Sequence, residues 1–272
     1  MKISVFGSTG FIGDVFCRKY PEQIIRIPRE SREPASDNIL YLISTTSNYN
    51  VLENLKLDVD VNLAVLMEVL EYCKDEKLVF NYVSTGFVYG NDIIDAKETD
   101  YCEPSGFYSI TKRAAEMLII SFCQTFKVKY RIFRLANVYG TEDREESGKK
   151  NALGFLINML KENKEIKLYD GGDVWRDYLH VEDICKAIML LMQKGDVNSI
   201  YNIASGRPRK FLDIIMLAKE MLGSKSEITP VDAPEFYRLV QAKNFSLNVD
   251  KLMNLGFKED VSLEEGVKLL CH

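Results

Sequence analysis

Apolar residues recur along this chain with two different spacings. Continuous apolar runs, which are typical of buried strands, occupy residues 2–6, 24–27, 39–43, 78–83, 130–135 and 199–204. The segments between most of these runs predict helices over residues 11–20, 59–72, 108–126 and 182–193, because apolar side chains recur there every three or four positions. Strands that alternate with helices predict an α/β fold, in which helices cover both faces of a parallel sheet.

The pattern loosens after Gly140. A charged loop is expected over residues 141–150, and the elements predicted beyond it are helices at 153–161, 212–222 and 263–270 and a short strand at 166–169. These pieces are too few for an independent domain. We therefore expect a main domain, residues 1–140 plus about 175–205, and a small C-terminal lobe over its strand ends, residues about 141–174 and 206–272.

The connection between the second and third predicted strands is short. Eleven residues separate Ile27 from Ile39, and they include Pro28 and Pro34. A crossover between parallel strands usually needs a dozen or more residues, commonly a helix. We therefore predict that this connection lacks a helix and that one outer strand of the sheet is missing on this side.

Composition excludes several classes of function. The net charge of −5 and the scattered Lys and Arg residues argue against a nucleic-acid-binding surface. The six cysteines form no Cys-x-x-Cys pair, and two histidines are too few for a His-based zinc site or triad. The apolar runs are too short to cross a membrane, and the N-terminal segment is too short for a signal peptide. We expect a soluble, cytoplasmic protein without a metal.

Glycines at positions 7, 10 and 13 lie between the first predicted strand and the first predicted helix. In that context Gly7 permits a tight turn, Gly10 allows the backbone to approach a pyrophosphate, and Gly13 allows close helix packing. The N-terminus of the helix offers free N–H groups to phosphates. A plain strand–helix turn is the alternative, and the strand context favours a dinucleotide site.

Tyr108 and Lys112 lie four positions apart on a predicted helix, so their side chains share one face. A phenol ionises near pH ~10, and a neighbouring ammonium stabilises its ionised form. Ser84 and Thr85 end the preceding strand and could hydrogen-bond a substrate oxygen as its proton moves. A Tyr–Lys pair alone is common on solvated helices, but here it follows a glycine loop and a hydroxyl at a strand end.

These segments together resemble the extended short-chain dehydrogenase/reductases, the family of nucleotide-sugar epimerases, dehydratases and ketoreductases. The resemblance covers nearly the whole chain in the family's order: the glycines of residues 7–13, STGFVYG at 84–90, the Tyr108–Lys112 pair, RLANVYG at 134–140, RDYLHVED at 176–183 and YNI at 201–203. It implies a Rossmann-type doubly wound parallel sheet in the main domain, with substrate bound beneath the C-terminal lobe.

The resemblance also implies roles for individual residues. Thr85 would be the catalytic hydroxyl, Tyr108 the acid/base, and Lys112 the group that lowers the pKa of Tyr108 and holds the cofactor ribose. The substrate-binding residues would be Thr85, Asn137, Arg176 and Arg238. The cofactor-binding residues would be Gly7, Thr9, Gly10, Phe11, Ile12, Gly13, Arg29, Arg32, Ser44, Thr45, Thr46, Tyr108, Lys112 and Leu135.

Two of these positions have structural alternatives. Arg176 would bind the nucleotide diphosphate through its planar guanidinium, or it would pair with Asp173 or Asp177. His180 has no chemical role in this scheme, and we expect it to lie in the core or to cap a helix.

The residues after Thr85 reduce the number of possible enzyme activities. The family's 4,6-dehydratases have an acidic pair there, whereas this chain has Gly86 and Phe87. The remaining enzyme activities are a nucleotide-sugar 4-epimerase, which acts at carbon 4 through a 4-keto intermediate, and an NADPH-dependent 4-ketoreductase. A non-catalytic dinucleotide-binding sensor is an alternative of another class, although such proteins often lose the Tyr or the Lys.

The cofactor is expected to be NAD or NADP. Arg29 and Arg32 follow the second strand, where an acidic residue usually binds the ribose, and they could accommodate a 2′-phosphate. This favours NADP slightly, although the arginines could be exposed loop charges and Glu30 could bind a ribose. The resemblance also implies a possible homodimer, formed through the predicted helices at 59–72 and 108–126.

Overall fold

A six-stranded parallel sheet forms the centre of the fold in this computed structural model, which describes residues 1–143 and 152–272. The N-terminal half contains β1 (Ile3–Phe6), α1 (Phe11–Lys19), β2 (Ile24–Arg26), β3 (Asn38–Tyr41), α2 (Leu57–Val59), α3 (Val65–Leu70), β4 (Val79–Thr85), β5 (Asp92–Ala96), α4 (Phe107–Phe126), β6 (Lys129–Leu135) and β7 (Asn137–Tyr139). The C-terminal half contains α5 (Ala152–Lys161), β8 (Ile166–Tyr169), β9 (Trp175–Arg176), β10 (Tyr178–His180), α6 (Val181–Lys194), β11 (Ser199–Ile203), β12 (Arg209–Lys210), α7 (Phe211–Leu222), β13 (Ile228–Val231), α8 (Glu235–Val240), β14 (Asn244–Leu247), α9 (Asp250–Met253) and α10 (Leu263–Cys271).

The strands of the central sheet follow the order β11-β6-β4-β3-β1-β2 and all pair in parallel. β4 lies in the middle, between β3 and β6, and Thr85 at its end is paired with Leu135. Because the strands are parallel, their carboxyl ends reach the same edge of the sheet. The loops that follow β1, β3, β4 and β6 therefore all open at that edge.

Helices cover both faces of this sheet, as the alternating pattern predicts. On one face α1 and α6 bury Phe16, Ile184 and Ile188 against β1 and β11. On the other face α3 and α4 bury Val69 and Ile119 against β3 and β4. The fold is therefore the doubly wound, Rossmann-like α/β sheet that the sequence predicts.

The predicted loss of an outer strand is confirmed. β2 forms one edge of the sheet and pairs with β1 alone. In the described structure, residues 27–37 between β2 and β3 contain neither a helix nor a strand. The backbone N–H of Ile27 still donates to the carbonyl of Val5, at 3.0 Å, before the chain turns back toward β3.

The helix predicted over residues 59–72 is interrupted. It consists of α2, a π-helical turn at Asp60–Ala64 and α3. The turn contains Asn62, whose side chain is buried and hydrogen-bonds Ser44, Thr45 and Thr111. A π turn inside a helix often serves to place such a side chain.

The hydrophobic pattern does not predict several short strands. β7 pairs with β10, β9 with β12, β8 with β13, and β5 with β14, each as a separate two-stranded sheet. Of these strands only β8 is predicted, and it spans the predicted residues 166–169. The others contain two to five residues and join segments that are far apart in sequence, so their periodicity is too brief to detect.

The C-terminal elements build a core of their own. Ile157 of α5, Ile214 of α7 and Val267 of α10 pack together with β8. Leu252 of α9, however, belongs to the core beneath the central sheet. The division of the chain into two domains stays a prediction, and residues 144–150 of the predicted charged loop lie outside the described residues.

None of the helices in the described ranges combines the length and the apolar character that a membrane crossing requires.

A single added methyl group can test how closely α1 packs against the loop that precedes it. A Cβ on Gly13 would lie 2.2 Å from the carbonyl oxygen of Gly7. We expect Gly13→Ala to lower the free energy of unfolding by about 1–3 kcal/mol, because backbone must move to admit the methyl. The measurement is urea denaturation.

Gly10→Ala is the matched control. A Cβ on Gly10 would lie 3.4 Å from the same oxygen, and the φ angle of Gly10 is −75°. This substitution should change the free energy of unfolding by less than about 1 kcal/mol. Equal losses in the two variants would contradict the packing of α1 against Gly7.

Candidate active site

The glycine loop presents an anion-binding helix end at the carboxyl edge of the sheet. The N–H of Gly10 donates to the carbonyl of Gly7 at 3.1 Å, and α1 begins directly afterwards. In the described part of the chain no side chain caps Gly10. The amides of the first turn and the partial positive charge of the helix are therefore directed at the space above the loop.

A cavity of about 1670 Å³ extends from this loop along the ends of the strands. Its walls include most of the residues that the sequence predicts for cofactor and substrate: Gly7, Thr9, Gly10, Phe11, Ile12, Gly13, Ser44, Thr45, Thr46, Thr85, Tyr108, Lys112, Leu135, Asn137 and Arg176. The fold thus brings residues from six separate segments to one concave surface.

Tyr108 and Thr85 meet within this cavity. Their side chains share a hydrogen bond between the first turn of α4 and the end of β4. Burial raises the pKa of Tyr108 to about 12; the bond with Thr85 lowers this pKa, and the nearby carboxylate of Asp58 raises it. The lowered pKa that the sequence predicts for Tyr108 is therefore wrong for this environment, since loss of hydration outweighs the stabilisation of the phenolate.

Lys112 lies one helical turn further along α4 and is 2 % exposed. Its Nζ donates to the carbonyl of Val83 at 2.7 Å and lies 4.2 Å from the centre of the Tyr82 ring. Burial lowers the pKa of Lys112 to about 7, and the carboxylate of Glu116 opposes this shift. The side chain is therefore close to equal populations of its charged and neutral forms at neutral pH.

The two hydroxyls at the end of β4 have different partners. The Oγ of Ser84 donates to a buried carboxylate oxygen of Glu116 at 2.6 Å, whereas Thr85 bonds Tyr108 and accepts from the N–H of Phe87 at 3.3 Å. Successive side chains on a strand point to opposite faces, which separates the two. Thr85 is the hydroxyl that belongs to the site.

The loop after β3 is held by a residue that the sequence reasoning missed. The Oδ1 of Asn62 accepts from Ser44 at 3.0 Å and from the N–H of Thr45 at 2.8 Å. Thr45 in turn donates to Asp58, which is 1 % exposed, at 2.6 Å. The signal in the sequence was the spacing of Asp58 and Asn62. These two polar residues lie four positions apart, which places both on one helix face, toward the Ser44–Asn48 cluster.

Arg176 is tied to backbone rather than to a carboxylate. Its guanidinium donates to the carbonyls of Trp175, Ala242 and Lys243 at 2.8–2.9 Å. Asp173 pairs instead with Lys210 at 2.7 Å. These bonds use three of its five N–H groups, so the Nε–H and one Nη2–H can still donate to a ligand.

The alternative partner of Arg176, Asp177, is also engaged elsewhere, because its Oδ1 accepts from Ser205. The backbone carbonyl of Asp177 accepts from the Nδ2 of Asn137 at 3.0 Å. This bond fixes the orientation of the Asn137 amide at the wall of the cavity.

Three arginines predicted for the site do not line the cavity. Arg32 pairs with Glu68 at 2.6 Å and donates to the carbonyl of Arg29 at 2.8 Å. Arg238, on α8, pairs with Asp170 at 3.1 Å and is 57 % exposed. For Arg32 and Arg238 a carboxylate distant in sequence binds the guanidinium outside the cavity, and the third arginine, Arg29, does not line the cavity either.

His180 is a capping residue, one of the two structural roles expected from the sequence. It precedes α6, and its Nδ1 accepts from the N–H of Glu182 at 3.3 Å.

Arg26 is the cationic residue at the glycine loop that sequence reasoning overlooked. It ends β2, and its Nη1 donates to the carbonyl of Ser8 at 2.8 Å. Its Nη2 lies 3.2 Å from Asp14 in the first turn of α1. The signal was its position as the last residue of the strand, three residues before Arg29.

Aromatic side chains close the far end of the cavity. Tyr49 contacts Phe236 with ring centres 5.3 Å apart, and Tyr169 contacts Tyr237 at 4.9 Å. Phe236 and Tyr237 belong to α8, a helix with no buried residues. α8 is held at this end by these aromatic contacts and by Asn48 and Asn91, whose side-chain amides donate to the backbone carbonyls of Val240 and Leu239.

Within residues 1–143 and 152–272, no group of three or more His, Cys, Asp or Glu side chains is arranged to hold a metal ion.

The doubly wound sheet, the glycine loop and the spacing of Tyr108 and Lys112 define a protein of the short-chain dehydrogenase/reductase type. The chain belongs to the NAD dependent epimerase/dehydratase family, which it matches over residues 36–204, more than half of its length. It is 26% identical to the dTDP-D-glucose 4,6-dehydratase of Dictyostelium discoideum over an alignment that covers 80% of this chain. The chain spans 64% of the length of that protein.

Solved structures share the fold over the whole chain. The UDP-glucose 4-epimerase of Thermotoga maritima, solved with UDP-glucose, superposes with a TM-score of 0.89 at 25% identity, covering 100% of this chain and 97% of that one. The UDP-glucuronic acid 4-epimerase of Bacillus cereus, solved with UDP-glucuronic acid and NAD, gives 0.89 at 21% identity, with coverages of 100% and 98%. RMD from Pseudomonas aeruginosa, solved with NADPH, gives 0.83 at 21%, with coverages of 99% and 97%.

Proposed function

We propose that this protein is an NAD(P)-dependent nucleotide-sugar epimerase that acts at carbon 4 of the sugar through a 4-keto intermediate. The observation that carries the proposal is that Thr85, Tyr108 and Lys112 line the same cavity as the glycine loop. A proton-transferring pair beside a dinucleotide site is the arrangement that hydride transfer to a carbonyl requires.

The residues present fit a dinucleotide. Gly7, at φ +81°, leaves no room for a Cβ, which would lie 3.0 Å from the carbonyl carbon of Leu42. The uncapped start of α1 fits a pyrophosphate, and the hydroxyls of Ser44 and Thr45 lie across the cavity from it. When bound there, NAD or NADP would supply and accept the hydride. Gly10, Gly13 and Lys112 would hold it.

Tyr108 and Thr85 would move the proton. Oxidation of a sugar hydroxyl requires Tyr108 to accept its proton, and reduction of the resulting ketone requires Tyr108 to return it. The raised pKa keeps the phenol protonated at neutral pH, which is the form that the return step needs. A charged Lys112 would assist the opposite step, since an ammonium stabilises the phenolate. Thr85 would hydrogen-bond the same substrate oxygen.

Arg176 and Asn137 would orient the substrate. The two N–H groups of Arg176 that the backbone does not use suit the oxygens of a diphosphate. Aromatic residues of α8 and Tyr169 form the far wall, where a base would find apolar surface. The Thermotoga epimerase, of similar fold, was solved with UDP-glucose, a ligand of this kind.

Dehydration is disfavoured by the packing behind Thr85. The family's acidic pair would begin at Gly86, where even a Cβ would lie 2.6 Å from the Phe245 ring and 3.0 Å from Leu247. A carboxylate would be still larger and would lose its hydration against these apolar side chains. The site thus argues against elimination of water, although the Dictyostelium relative is named as a dehydratase.

A 4-ketoreductase is the second candidate. Tyr108 holds its proton at neutral pH, and a one-way reduction needs the tyrosine in this protonated form. A non-catalytic sensor is less well supported, because the Tyr, the Lys and the strand-end hydroxyl are all present at one cavity.

The two activities separate in one assay. The purified protein would be given UDP-, GDP-, dTDP- and CDP-linked sugars, as hydroxyl and 4-keto forms, with and without NADPH. An epimerase converts the hydroxyl sugars without net consumption of cofactor. Stoichiometric oxidation of NADPH would exclude the epimerase and support the reductase.

Tyr108→Phe tests whether the protein is catalytic through this tyrosine. We expect kcat to fall by about 10²–10⁴-fold, because general acid–base catalysis is lost. Tyr101→Phe is the control, since Tyr101 is 85% exposed on the loop before α4. Unchanged activity in Tyr108→Phe would contradict the catalytic role and favour the sensor.

We propose further that Arg26, rather than Arg29 or Arg32, decides between NAD and NADP. Its guanidinium lies against the glycine loop, where the adenosine ribose of a dinucleotide would approach β2. Arg32 pairs with Glu68 instead, and Arg29 does not line the cavity, whereas Arg26 donates directly to Ser8 of the glycine loop.

Arg26→Ala should weaken NADPH binding by about 10–100-fold, because a charge-assisted hydrogen bond to the 2′-phosphate is lost. NADH binding should stay almost unchanged, since NADH lacks this phosphate. The measurement is the dissociation constant of each cofactor by fluorescence titration. Arg32→Ala, with an arginine removed nearby, should change neither constant. A loss of NADPH binding in Arg32→Ala alone would restore the original assignment.

A homodimer through α3 and α4 is also proposed. Both helices and the turn after α3 expose apolar side chains that are 36–58 % exposed: Met67 on α3, Tyr72 in the turn, and Ile110, Met117, Leu118 and Phe126 on α4. Apolar surface of this extent along two neighbouring helices is typical of a protein–protein contact.

Met117→Glu should convert the dimer to a monomer, because a carboxylate would lose hydration at the centre of the contact. The measurement is the molar mass by light scattering across a concentration series. Met216→Glu, on α7 and 48% exposed, is the matched control and should leave the mass unchanged. A monomeric wild type would exclude the dimer.

A further inference from the structure

We propose that Glu116 is a positioning residue that fixes α4 against the end of β4 and favours the charged form of Lys112. The inference rests on the proposed function, because it assumes that Lys112 acts beside Tyr108. Glu116 itself touches neither substrate nor cofactor, since it lies beneath the cavity and is fully buried.

Glu116 accepts four hydrogen bonds. Ser84 Oγ donates to Oε1 at 2.6 Å, and Arg134 donates to both carboxylate oxygens at 3.0 and 2.8 Å. Arg113 donates to Oε2 at 2.8 Å from one turn of the same helix. Because these donors come from β4, β6 and α4, one side chain joins three elements at a single point.

The last three residues of β4 are each bound to α4. The carbonyl of Val83 accepts from Lys112, Ser84 donates to Glu116, and Thr85 bonds the Tyr108 hydroxyl. The three helix residues are spaced at i, i+4 and i+8 and therefore form one stripe. Glu116 holds the buried end of this stripe, so it fixes the position of α4 along β4.

The second effect of Glu116 is electrostatic and acts on Lys112. Three cations gather beneath the cavity, Lys112, Arg113 and Arg134, and Glu116 is the carboxylate that opposes the loss of charge on Lys112. The other titratable groups that face this cluster are Tyr82 of β4, Tyr89 beside Arg134, and Cys102 from the loop before α4. Burial works in the opposite direction and holds the pKa of Lys112 to about 7.

The sign of the effect follows from these charges. Glu116→Gln keeps the shape but removes the negative charge, so the charged form of Lys112 becomes less favourable and its pKa falls. Arg113→Gln removes a cation that offsets Glu116, so the pKa of Lys112 rises. Arg113 is suitable because its side chain is 29% exposed and the Glu116–Arg134 pair stays intact.

The direct test is an NMR titration of the full-length protein labelled at the ε-carbons of lysine. The resonance that Lys112→Met removes belongs to Lys112, and its midpoint is followed with pH. We expect the midpoint to move down by about one pH unit in Glu116→Gln and up in Arg113→Gln. An unchanged midpoint in a folded Glu116→Gln, or in Arg113→Gln if the first variant does not fold, overturns the proposal.

The pH profile of kcat/KM then separates positioning from a purely structural role. The alkaline limb reports loss of the Lys112 proton, so it should shift to lower pH in Glu116→Gln and to higher pH in Arg113→Gln. An equal loss of activity at every pH, without a shift, would overturn the proposal. If the wild type turns over no nucleotide sugar, the proposed function fails, and the NMR midpoints still decide the effect of Glu116 on Lys112.

Discussion

The parallel pairing of β4 with β3 and β6 is the constraint on which the site depends. Parallel strands in register end at one edge, so the loop after β3, the hydroxyl of Thr85 and the backbone after Leu135 reach the same cavity. An antiparallel strand at any of these places would carry its loop to the opposite edge. The chemistry is thus a consequence of the direction of the strands.

Alternation along β4 then divides its side chains between two environments. Thr85 faces a cavity large enough for a dinucleotide and a sugar, and Ser84 faces a buried carboxylate. Burial determines the direction of the pKa shifts of Tyr108 and Lys112, which lie between these two environments. It raises the pKa of Tyr108 and lowers that of Lys112, so both groups favour their neutral forms. The charges beneath the cavity oppose this tendency only for Lys112.

The sequence predicts the sheet, the glycine loop and the missing outer strand, because each depends on local spacing or on chain length. For His180 it predicts a structural role, in the core or as a cap, without deciding between the two. It does not predict where long charged side chains find partners. Arg32 pairs with Glu68 and Arg238 with Asp170, contacts that exist only once the chain has folded. The pKa of Tyr108 was predicted in the wrong direction for a related reason, since burial cannot be measured from the spacing of Tyr108 and Lys112.

The missing outer strand also determines where the fold is weakest. β2 has three residues, none of them buried, and it pairs along one side only. Local opening requires little free energy where few apolar contacts are lost, so the amides of β2 should exchange with solvent before those of β4. A ligand that packs against this edge would stabilise the strand by mass action. The rigidity of this edge of the sheet therefore depends on whether a ligand is bound against it.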